Sequence, residues 1–299
     1  MVLTSSDYET IIKEYSETQK ANADAWKERR EMIYKEIPKL KELDKKREKL
    51  LEEHSFPADT FAPVYSCELC HDTGYVGADH CICFQRKAAR IIYAREENPD
   101  ILETENFQTL DMSLYPEDLH HSRTGKSARQ IMECAVASCK QFADDYKSGR
   151  QSDCLLLTGR PGVGKTFLAH CIAKELIDKG LSVIYYSAGD LFDKLAKSKF
   201  SKTENGAEYM MDDEYLSGYD LLIIDDLGTE MVNAFVRSTL FRILNNRIKN
   251  GLGIIISTNL SAQELSRTYS ERISSRILES FKLIVAFGSD IRVQKRLRE

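Results

Sequence analysis

One glycine-rich octapeptide constrains the fold of this chain more than any other stretch. It fits the pattern G-x-x-x-x-G-K-[ST], in which glycines permit positive φ angles and let successive backbone N–H groups converge on one anion. An apolar run at 154–157 precedes it, and an amphipathic helical pattern at 167–176 follows it. This strand–loop–helix context predicts a phosphate-binding loop. The loop consists of Gly159, Arg160, Pro161, Gly162, Val163, Gly164, Lys165 and Thr166.

The last two residues of the loop have distinct expected roles. Lys165 is expected to reach the β- and γ-phosphates of ATP, and the Thr166 hydroxyl is expected to bind Mg²⁺. The N-terminus of the following helix adds a dipole that favours an anion.

Composition limits the organisation of the chain. With 299 residues, 42% of them hydrophobic and 30% charged, it can hold a core domain of about 180 residues plus a smaller module. A net charge of −5 gives no overall attraction to nucleic acid, so such binding must come from local basic patches. The sequence has no apolar run of membrane-spanning length and does not start like a signal peptide, which predicts a cytosolic protein without a membrane partner.

Residues 1–55 form a charge-rich segment with apolar residues at helical spacing. Pro38 suits the first turn of a helix but not its interior, so two helices that meet at Pro38 are predicted. Because the apolar residues are too few for an independent core, we expect this helical arm to dock on the protein's own body or on a partner. A solvated helical extension is the alternative.

Four of the eight cysteines are clustered as C-x2-C and C-x-C. In a cytosolic chain this spacing is typical of a tetrahedral structural Zn²⁺ site, and such a closed shell leaves no position for catalysis. His71 and His80 could replace a cysteine that faces away, while a redox pair and ordinary thiols are the alternatives. The expected zinc ligands are Cys67, Cys70, Cys81 and Cys83.

The remainder of the chain alternates apolar strands with helices, which predicts an α/β fold with a mainly parallel sheet covered by helices on both faces. The predicted domains are a helical, partner-binding arm (1–55), a zinc-binding module with a linker helix (56–100) and the α/β domain (101–299). Strands are predicted at 154–157, 182–186, 221–224, 253–256 and 282–287. Helices are predicted at 85–97, 127–146, 189–199, 233–249, 261–267 and 271–279.

Polar residues follow two of these strands, at the edge where open α/β sheets bind ligands. Asp225 is expected to hold Mg²⁺ indirectly, through its ligands, and Asp226 to orient or deprotonate the attacking water. Asn259 could contact the γ-phosphate or that water. Turn residues without a ligand are the alternative in each case.

Taken in chain order, these motifs resemble an AAA+ ATPase. The resemblance covers about residues 105–294 and rests on the phosphate loop, Leu-Ile-Ile-Asp-Asp at 222–226, Ser-Thr-Asn at 257–259, Glu-Arg-Ile-Ser-Ser-Arg at 271–276 and Ser-Asp-Ile-Arg at 289–292. More narrowly, the sequence is similar to bacterial replicative-helicase loaders of the DnaC/DnaI type, with transposition helpers of the IstB type as close relatives.

The resemblance implies roles for particular residues. Asn259 would be sensor 1 and Arg292 sensor 2. Arg276 would be the arginine finger that reaches ATP on a neighbouring subunit, which implies an ATP-dependent oligomer; Arg272 is the less favoured candidate. An arginine supplied in this way can accelerate hydrolysis by about 10³ to 10⁵. A surface salt bridge is the alternative for Arg276.

Two further expectations follow from the resemblance. Phe107 and Leu110 fall where the family packs adenine. Many AAA+ enzymes have Asp-Glu where this chain has Asp225-Asp226. The shorter Asp226 side chain withdraws its carboxylate by about one bond, and misplacements near 1 Å can cost about 10²-fold in rate. Slow ATP hydrolysis is therefore predicted.

A lysine-rich stretch follows the second strand of the α/β pattern. In related AAA+ proteins this region faces a central channel, so it is a candidate contact for single-stranded DNA, read through the backbone without sequence preference. A solvated helix face is the alternative. The candidate residues are Lys194, Lys197, Lys199 and Lys202.

Together these inferences favour an ATP-hydrolysing loader whose zinc-bearing N-terminal module grips a replicative ring helicase, as in the DnaI-like arrangement, and whose core engages single-stranded DNA at replication initiation. One alternative is an IstB-type ATPase that assists a transposase on double-stranded DNA. Another is an ATP-gated adaptor with little hydrolysis. A small-molecule kinase is disfavoured because it leaves the finger and sensor pattern unexplained.

Overall fold

The computed structural model describes residues 20, 24, 27, 29–31, 38–57, 59–60, 63–98, 100–146, 154–200 and 211–296. The chain divides into two compact units, Met1–Cys81 and Ile82–Glu299. Most of the first predicted helix of the arm lies outside the described residues, and so does Lys202. No helix in the described part of the chain has the combination of length and apolar character needed to span a membrane.

The described part of the first unit contains a helix and a small hairpin. Helix α1, Pro38–Glu53, begins at Pro38, as expected for the second helix of the arm, because proline has no N–H to leave unpaired in a first turn. Strands β1, Tyr75–Val76, and β2, Asp79–His80, pair antiparallel. Gly77 has a φ of +66° in the turn between them, a conformation that glycine adopts without strain.

The second unit is an α/β domain, as predicted. Its strands are β3 (Cys154–Thr158), β4 (Val183–Ser187), β5 (Leu221–Leu227), β6 (Gly253–Thr258) and β7 (Phe281–Val285). The helices before β4 are α2 (Ile82–Tyr93), α3 (Ile101–Thr104), a 3-10 turn (Met112–Leu114), α4 (Ala128–Asp145) and α5 (Lys165–Asp178). Those that follow are α6 (Ala188–Phe200), α7 (Asp213–Ser217), α8 (Ala234–Lys249), α9 (Ala262–Thr268), α10 (Glu271–Ser280) and α11 (Ile291–Arg296).

The strands form a five-stranded sheet in the order β4-β5-β6-β3-β7, and each neighbouring pair is parallel. Consecutive residues of β3 point to opposite faces. Leu155 and Leu157 join a core with α2 to α5, whereas Cys154 and Leu156 join a second core with α6 to α10. Burial on both faces explains why the strands are apolar throughout instead of alternating with polar residues. The predicted parallel sheet with helices on both faces is confirmed.

The linker helix differs from its predicted range of 85–97. Helix α2 begins earlier, at Ile82, because Ile82 and Gln85 pack closely over Gly180, where an added Cβ would lie 2.8 Å from Ile82 Cδ1. The helix ends at Tyr93, and residues 94–97 form turns. By contact, α2 belongs to the same compact unit as the sheet.

Candidate nucleotide site and cysteine cluster

The phosphate loop lies between β3 and α5 and is closed against the segment that precedes α11. The backbone N–H of Ile291 donates to the carbonyl of Gly162 at 2.8 Å. Gly162 has a φ of +76°, and a Cβ at this position would lie 2.2 Å from the carboxyl carbon of Asp290. Glycine is therefore required here both by the backbone conformation and by the close approach of Asp290.

Lys165 is the first residue of α5 and is only 4% exposed. Its Nζ donates to Asn259 Oδ1 at 2.6 Å and to the backbone carbonyl of Arg160 at 3.0 Å. Burial lowers the pKa of Lys165, and the charges of Asp226 and Asp225 oppose that shift. An ammonium group has three donors, so one remains for an incoming anion. Lys165 thus joins the phosphate loop to the end of β6, and its contact with the phosphates of ATP remains a prediction.

Asp225 is a buried carboxylate that accepts three hydroxyl hydrogen bonds. Its Oδ2 accepts from Thr166 Oγ1 at 2.7 Å and from the Tyr185 hydroxyl at 2.8 Å, while its Oδ1 accepts from the Ser257 hydroxyl. Hydroxyl and carboxylate oxygens are the ligand chemistry that Mg²⁺ prefers. The pairing of Thr166 with Asp225 therefore fits the predicted magnesium site.

Asp226 adopts a left-handed backbone conformation, with a φ of 52°, where the register between β5 and β6 shifts. Its N–H donates to Ser257 Oγ at 2.9 Å, which fixes this turn. Burial and the neighbouring charge of Asp225 raise the pKa of the Asp226 carboxyl, against the opposing charges of Lys165 and Arg292. A carboxyl with a raised pKa is better suited to exchange a proton with water near neutral pH.

The three predicted arginines lie in different surroundings. Arg292 pairs with Asp290 at 3.4 Å, and Asp290 lies against Gly162 of the phosphate loop. Arg276, on α10, donates to Asn245 Oδ1 at 2.9 Å. Arg272, on the same helix, lies over the ring of Phe241 at 5.1 Å.

Phe107 and Leu110, the predicted adenine contacts, are both half-buried in the segment after α3. The Phe107 ring packs against the core on the α2 to α5 face of the sheet. Lys140 Nζ lies 5.3 Å from its centroid. Adenine contact by these residues remains a prediction.

The four predicted zinc ligands form one cluster. Their sulfur atoms lie within 4.8 Å of one another, and Cys67 Sγ is 3.7 Å from Cys81 Sγ. Tetrahedral Zn–S bonds of about 2.3 Å place two sulfurs about 3.8 Å apart, so the arrangement fits zinc. Asp72 accepts the N–H groups of Ser66 and Cys67, each at 2.9 Å, and so shapes the Cys-x2-Cys turn.

The two histidines considered as replacement ligands lie against tyrosines. His71 stacks on Tyr65 with centroids 4.6 Å apart, and His80 lies 4.8 Å from Tyr75. Within the described residues, the group whose geometry could hold a metal ion consists of the four cysteines.

Three of the four candidate DNA-binding lysines are described, and all three are exposed on α6. Lys194 pairs with Glu96 and lies over the Tyr186 ring at 5.0 Å. Lys199 lies over the Phe235 ring at 5.4 Å. Their contact with DNA remains a prediction.

Two residues of the site were not predicted from sequence. Tyr185 and Ser257 both donate to Asp225. Tyr185 looks like a packing residue of an apolar strand, and Ser257 belongs to the Ser-Thr-Asn motif, in which only Asn259 was assigned a role. For Tyr185, the signal that could have revealed the contact is the register of β4 with β5. Ser187 pairs with Asp225, so Tyr185, two residues earlier in β4, lies on the same face of the sheet as Ser187.

The phosphate loop, the acidic end of β5 and the polar end of β6 define a P-loop nucleotide-binding domain of the AAA+ class. The sequence model of the family described as "IstB-like ATP binding protein" matches residues 106–295, more than half of the chain. The chain therefore belongs to this family.

The chain is also similar to individual proteins. It is 26% identical over 156 residues to "Replicative helicase loader DnaC" of Escherichia coli K12, covering 52% of this chain and 62% of the relative. A DnaC from Buchnera aphidicola subsp. Schizaphis graminum is 27% identical over 162 residues, covering 54% and 63%. The chain thus spans less than two thirds of the length of these relatives. The crystal structure of DnaI has a TM-score of 0.49 at 25% identity, covering 65% of this chain and 94% of that one.

Replacing Asp226 by asparagine is expected to stabilise the nucleotide-free protein at neutral pH. Because the folded-state pKa of Asp226 is raised above 3.8, the folded protein holds this proton more tightly than the unfolded chain. Wild-type stability is therefore lost as the pH rises through the raised pKa, and Asp226→Asn avoids that loss. Melting curves from about pH 8 to about pH 4 check this, since 1 kcal/mol shifts the melting temperature of such a protein by about 2–4 °C.

Asparagine also tolerates a positive φ well, so part of the gain is independent of pH. Only the part of the stability gain that decreases towards acid pH comes from removing the ionised Asp226 carboxylate. Asp193→Asn, at an exposed position on α6, is the matched control and should show no such gain. A gain that stays constant from pH 8 to pH 4 contradicts the expected cost of ionised Asp226.

Proposed function

We propose that this protein is a cytoplasmic, ATP-hydrolysing loader of a replicative DNA helicase, and that it binds the ring helicase and single-stranded DNA at replication initiation. The observation that carries the ATPase part is the hydrogen-bonded set Lys165–Asn259 and Thr166–Asp225, which joins the phosphate loop to two strand ends. Similarity to proteins described as replicative helicase loaders supports the loader part.

The residues of the site have complementary roles in this proposal. Thr166 and Asp225 would hold Mg²⁺, which neutralises charge on the β- and γ-phosphates. Lys165 would donate its remaining N–H to one phosphate oxygen and would exchange its bond to Asn259 for a second. Asn259 would then turn to the γ-phosphate or to the attacking water. Asp226 would accept the proton of that water.

Slow turnover is part of this proposal. The carboxylate of Asp226 is one methylene shorter than the glutamate found in many AAA+ enzymes, and its backbone is held in a left-handed turn. A slow enzyme suits a switch in which ATP favours the assembled, DNA-gripping state and hydrolysis favours release.

Arg276 is proposed as the finger that acts on ATP bound by a neighbouring subunit. It lies on α10 and bonds to Asn245, on the face of the sheet formed by α6 to α10. An arginine supplied across a subunit boundary makes hydrolysis depend on assembly, since neither subunit alone holds the complete charge-stabilising set.

Subunit mixing tests this arrangement. Arg276→Ala alone and Asp226→Asn alone are each expected to lower ATP hydrolysis by about 10³-fold or more. A mixture should recover up to about a quarter of the wild-type rate, because random pairing places an intact Asp226 beside an intact Arg276 at about one interface in four. Phosphate release measures the rate, and in the same assay Asp226→Glu is expected to accelerate the wild-type protein.

Arg272→Ala is the matched control on the same helix, and its mixture with Asp226→Asn should behave like wild type mixed with Asp226→Asn. Hydrolysis by Arg276→Ala at the wild-type rate, or a mixture that recovers nothing, removes Arg276 as a finger.

The cysteine cluster is proposed to hold structural zinc and to support helicase binding. A small element with little core gains most of its folding free energy from metal, about 10 to 16 kcal/mol in comparable peptides. In the DnaI-like arrangement a zinc-bearing module of this kind grips the helicase.

Loss of one zinc ligand is expected to remove helicase binding and leave nucleotide binding intact. The full chain should contain one zinc per molecule and co-elute with the replicative ring helicase of its own cell in size-exclusion chromatography. Cys70→Ser should lose both properties yet still bind ATP. Cys134→Ser, at an exposed cysteine outside the cluster, should keep both. A wild-type chain that lacks zinc, or that never co-elutes with the helicase, contradicts the loader proposal.

The exposed lysines of α6 are proposed to contact the backbone of single-stranded DNA. Since Lys194 already pairs with Glu96, we expect Lys197 and Lys199 to contribute most among the described lysines. Replacing Lys194, Lys197, Lys199 and Lys202 by alanine should lower the slope of log affinity against log salt by about 0.7 for each lost phosphate contact. Lys249→Ala, at an exposed lysine on α8, is the control. Unchanged affinity and slope in the fourfold variant exclude this surface.

A transposase-helper ATPase is the second candidate, favoured by the family description "IstB-like ATP binding protein". The same nucleotide site would serve it, but its target would be double-stranded DNA. Co-elution with a transposase instead of a helicase would favour this reading.

A further inference from the structure

Tyr185 of β4 is a buried tyrosine whose hydroxyl is committed to the nucleotide site. It donates to Asp225 Oδ2 at 2.8 Å, the same oxygen that accepts from Thr166 at 2.7 Å. The Tyr185 side chain therefore fixes the orientation of the carboxylate that Thr166 uses. Tyr185 is thus joined to the predicted magnesium site by one hydrogen bond, although it lies outside the phosphate loop.

The chemistry of this hydroxyl suits a permanent donor. Burial, followed by the charge of Asp225, raises the pKa of Tyr185 far above its ordinary value, so the phenol keeps its proton at any physiological pH. A buried ionised carboxylate needs hydrogen-bond donors, and bonds to charged acceptors are stronger than bonds between neutral groups. Tyr185 thus supplies Asp225 with a hydrogen bond from a neutral donor.

The position of the Tyr185 ring is set by two aromatic neighbours. The Tyr93 ring lies 6.1 Å from it at 58°, and the His170 ring lies 5.0 Å from it at 43°. His170 is in turn fixed by Glu105, whose Oε2 lies 2.6 Å from His170 Nδ1. Tyr93 is the last residue of α2, the helix that also contains Cys83 of the cysteine cluster.

Tyr93 contacts Tyr185 by packing. Within the described residues its buried hydroxyl has no hydrogen-bond partner, so the ring supplies the contact. Tyr93 is fully buried and Tyr185 is 7% exposed, which leaves little room for either ring to move independently. A displacement of the end of α2 must therefore shift Tyr185 or open a void beside it.

We propose that Tyr185 is a positioning residue for the magnesium–nucleotide site and that α2 controls it through the ring of Tyr93. The proposal rests on the proposed function, since it concerns the same ATP site. Tyr185 would hold the Asp225 carboxylate in the orientation in which Asp225 and Thr166 can together bind Mg²⁺. An event that moves α2 alters magnesium-dependent nucleotide affinity without touching the phosphate loop.

The neighbouring residue provides a matched control. Tyr186 is on the same strand and is similarly buried, at 3% exposure, but it belongs to the core on the opposite face of the sheet. Its hydroxyl interacts with Glu96 and Tyr215 instead of Asp225. Tyr185→Phe and Tyr186→Phe therefore remove the same atom from the same strand, and only the first removes a bond to Asp225.

The test is equilibrium binding of a fluorescent ATP analogue to the full chain while Mg²⁺ is titrated, with a parallel measurement in EDTA. Tyr185→Phe should raise the Mg²⁺ concentration for half-maximal tightening by about 10-fold, the lower end of the usual effect of removing a hydrogen-bond partner from a metal-holding group. Its affinity in EDTA should equal that of wild type. Tyr186→Phe should match wild type in both conditions.

A second pair of variants tests the control by α2. Tyr93→Leu removes the aromatic contact and should shift the Mg²⁺ dependence in the direction of Tyr185→Phe. Tyr93→Phe keeps the ring and loses only a hydroxyl that has no partner within the described residues, so its Mg²⁺ dependence should equal that of wild type.

Failure of this inference is distinguishable from failure of the proposed function. If wild type binds the analogue with magnesium and Tyr185→Phe has the same Mg²⁺ dependence, Tyr185 does not position Asp225. A wild-type dependence in Tyr93→Leu removes the control by α2. Equal losses with magnesium and in EDTA indicate a merely structural role and also overturn the proposal. A wild-type chain that never binds the analogue overturns the ATPase function itself.

Discussion

The buried carboxylate of Asp225 and its three hydroxyl donors hold the nucleotide site together. A carboxyl group that is only 4% exposed is unfavourable unless its oxygens are paired, and here the donors come from Thr166 on α5, Tyr185 on β4 and Ser257 on β6. The site therefore forms only when the phosphate-loop helix and three parallel strands are in register. The parallel sheet is the means by which distant parts of the sequence meet at one carboxylate.

Lys165 imposes a second constraint of the same kind. Its buried ammonium is paired with Asn259 and with the carbonyl of Arg160. The third donor of the ammonium remains for an incoming phosphate, so one lysine can hold the end of β6 and the anion together.

Much of this arrangement could be predicted from the sequence. The phosphate loop, the apolar strands and the acidic end of β5 are local patterns, and parallel strands bring their carboxyl ends to one edge, so Asp225 and Asn259 could be placed near Lys165. The clustering of the four cysteines was also predictable, because their spacing is typical of a tetrahedral zinc site. The sequence did not show the register in which neighbouring strands pair, so it could not show which strand side chains reach Asp225.

Tyr185 illustrates that gap. In the run Val183–Ser187 it looks like any core residue of a buried strand, and only the pairing of β4 with β5 directs its hydroxyl towards Asp225. The contact of His170 with Glu105 likewise joins residues 65 positions apart, which no local pattern encodes. The start of α2 was predicted wrongly for a related reason. The helix begins at Ile82, which packs against Gly180, and a contact between residues so far apart in the sequence has no local signal.

The account depends on the claim that the Lys165–Asn259 and Thr166–Asp225 contacts form a site for magnesium and ATP. Calorimetric titration of the full chain with ATP, with and without magnesium, tests it most directly. The account predicts saturable binding of one ATP per chain that magnesium strengthens and that Lys165→Ala abolishes, while Lys179→Ala, at the end of the same helix, leaves it unchanged. No measurable heat for wild type in either condition, or binding that survives Lys165→Ala, would contradict it.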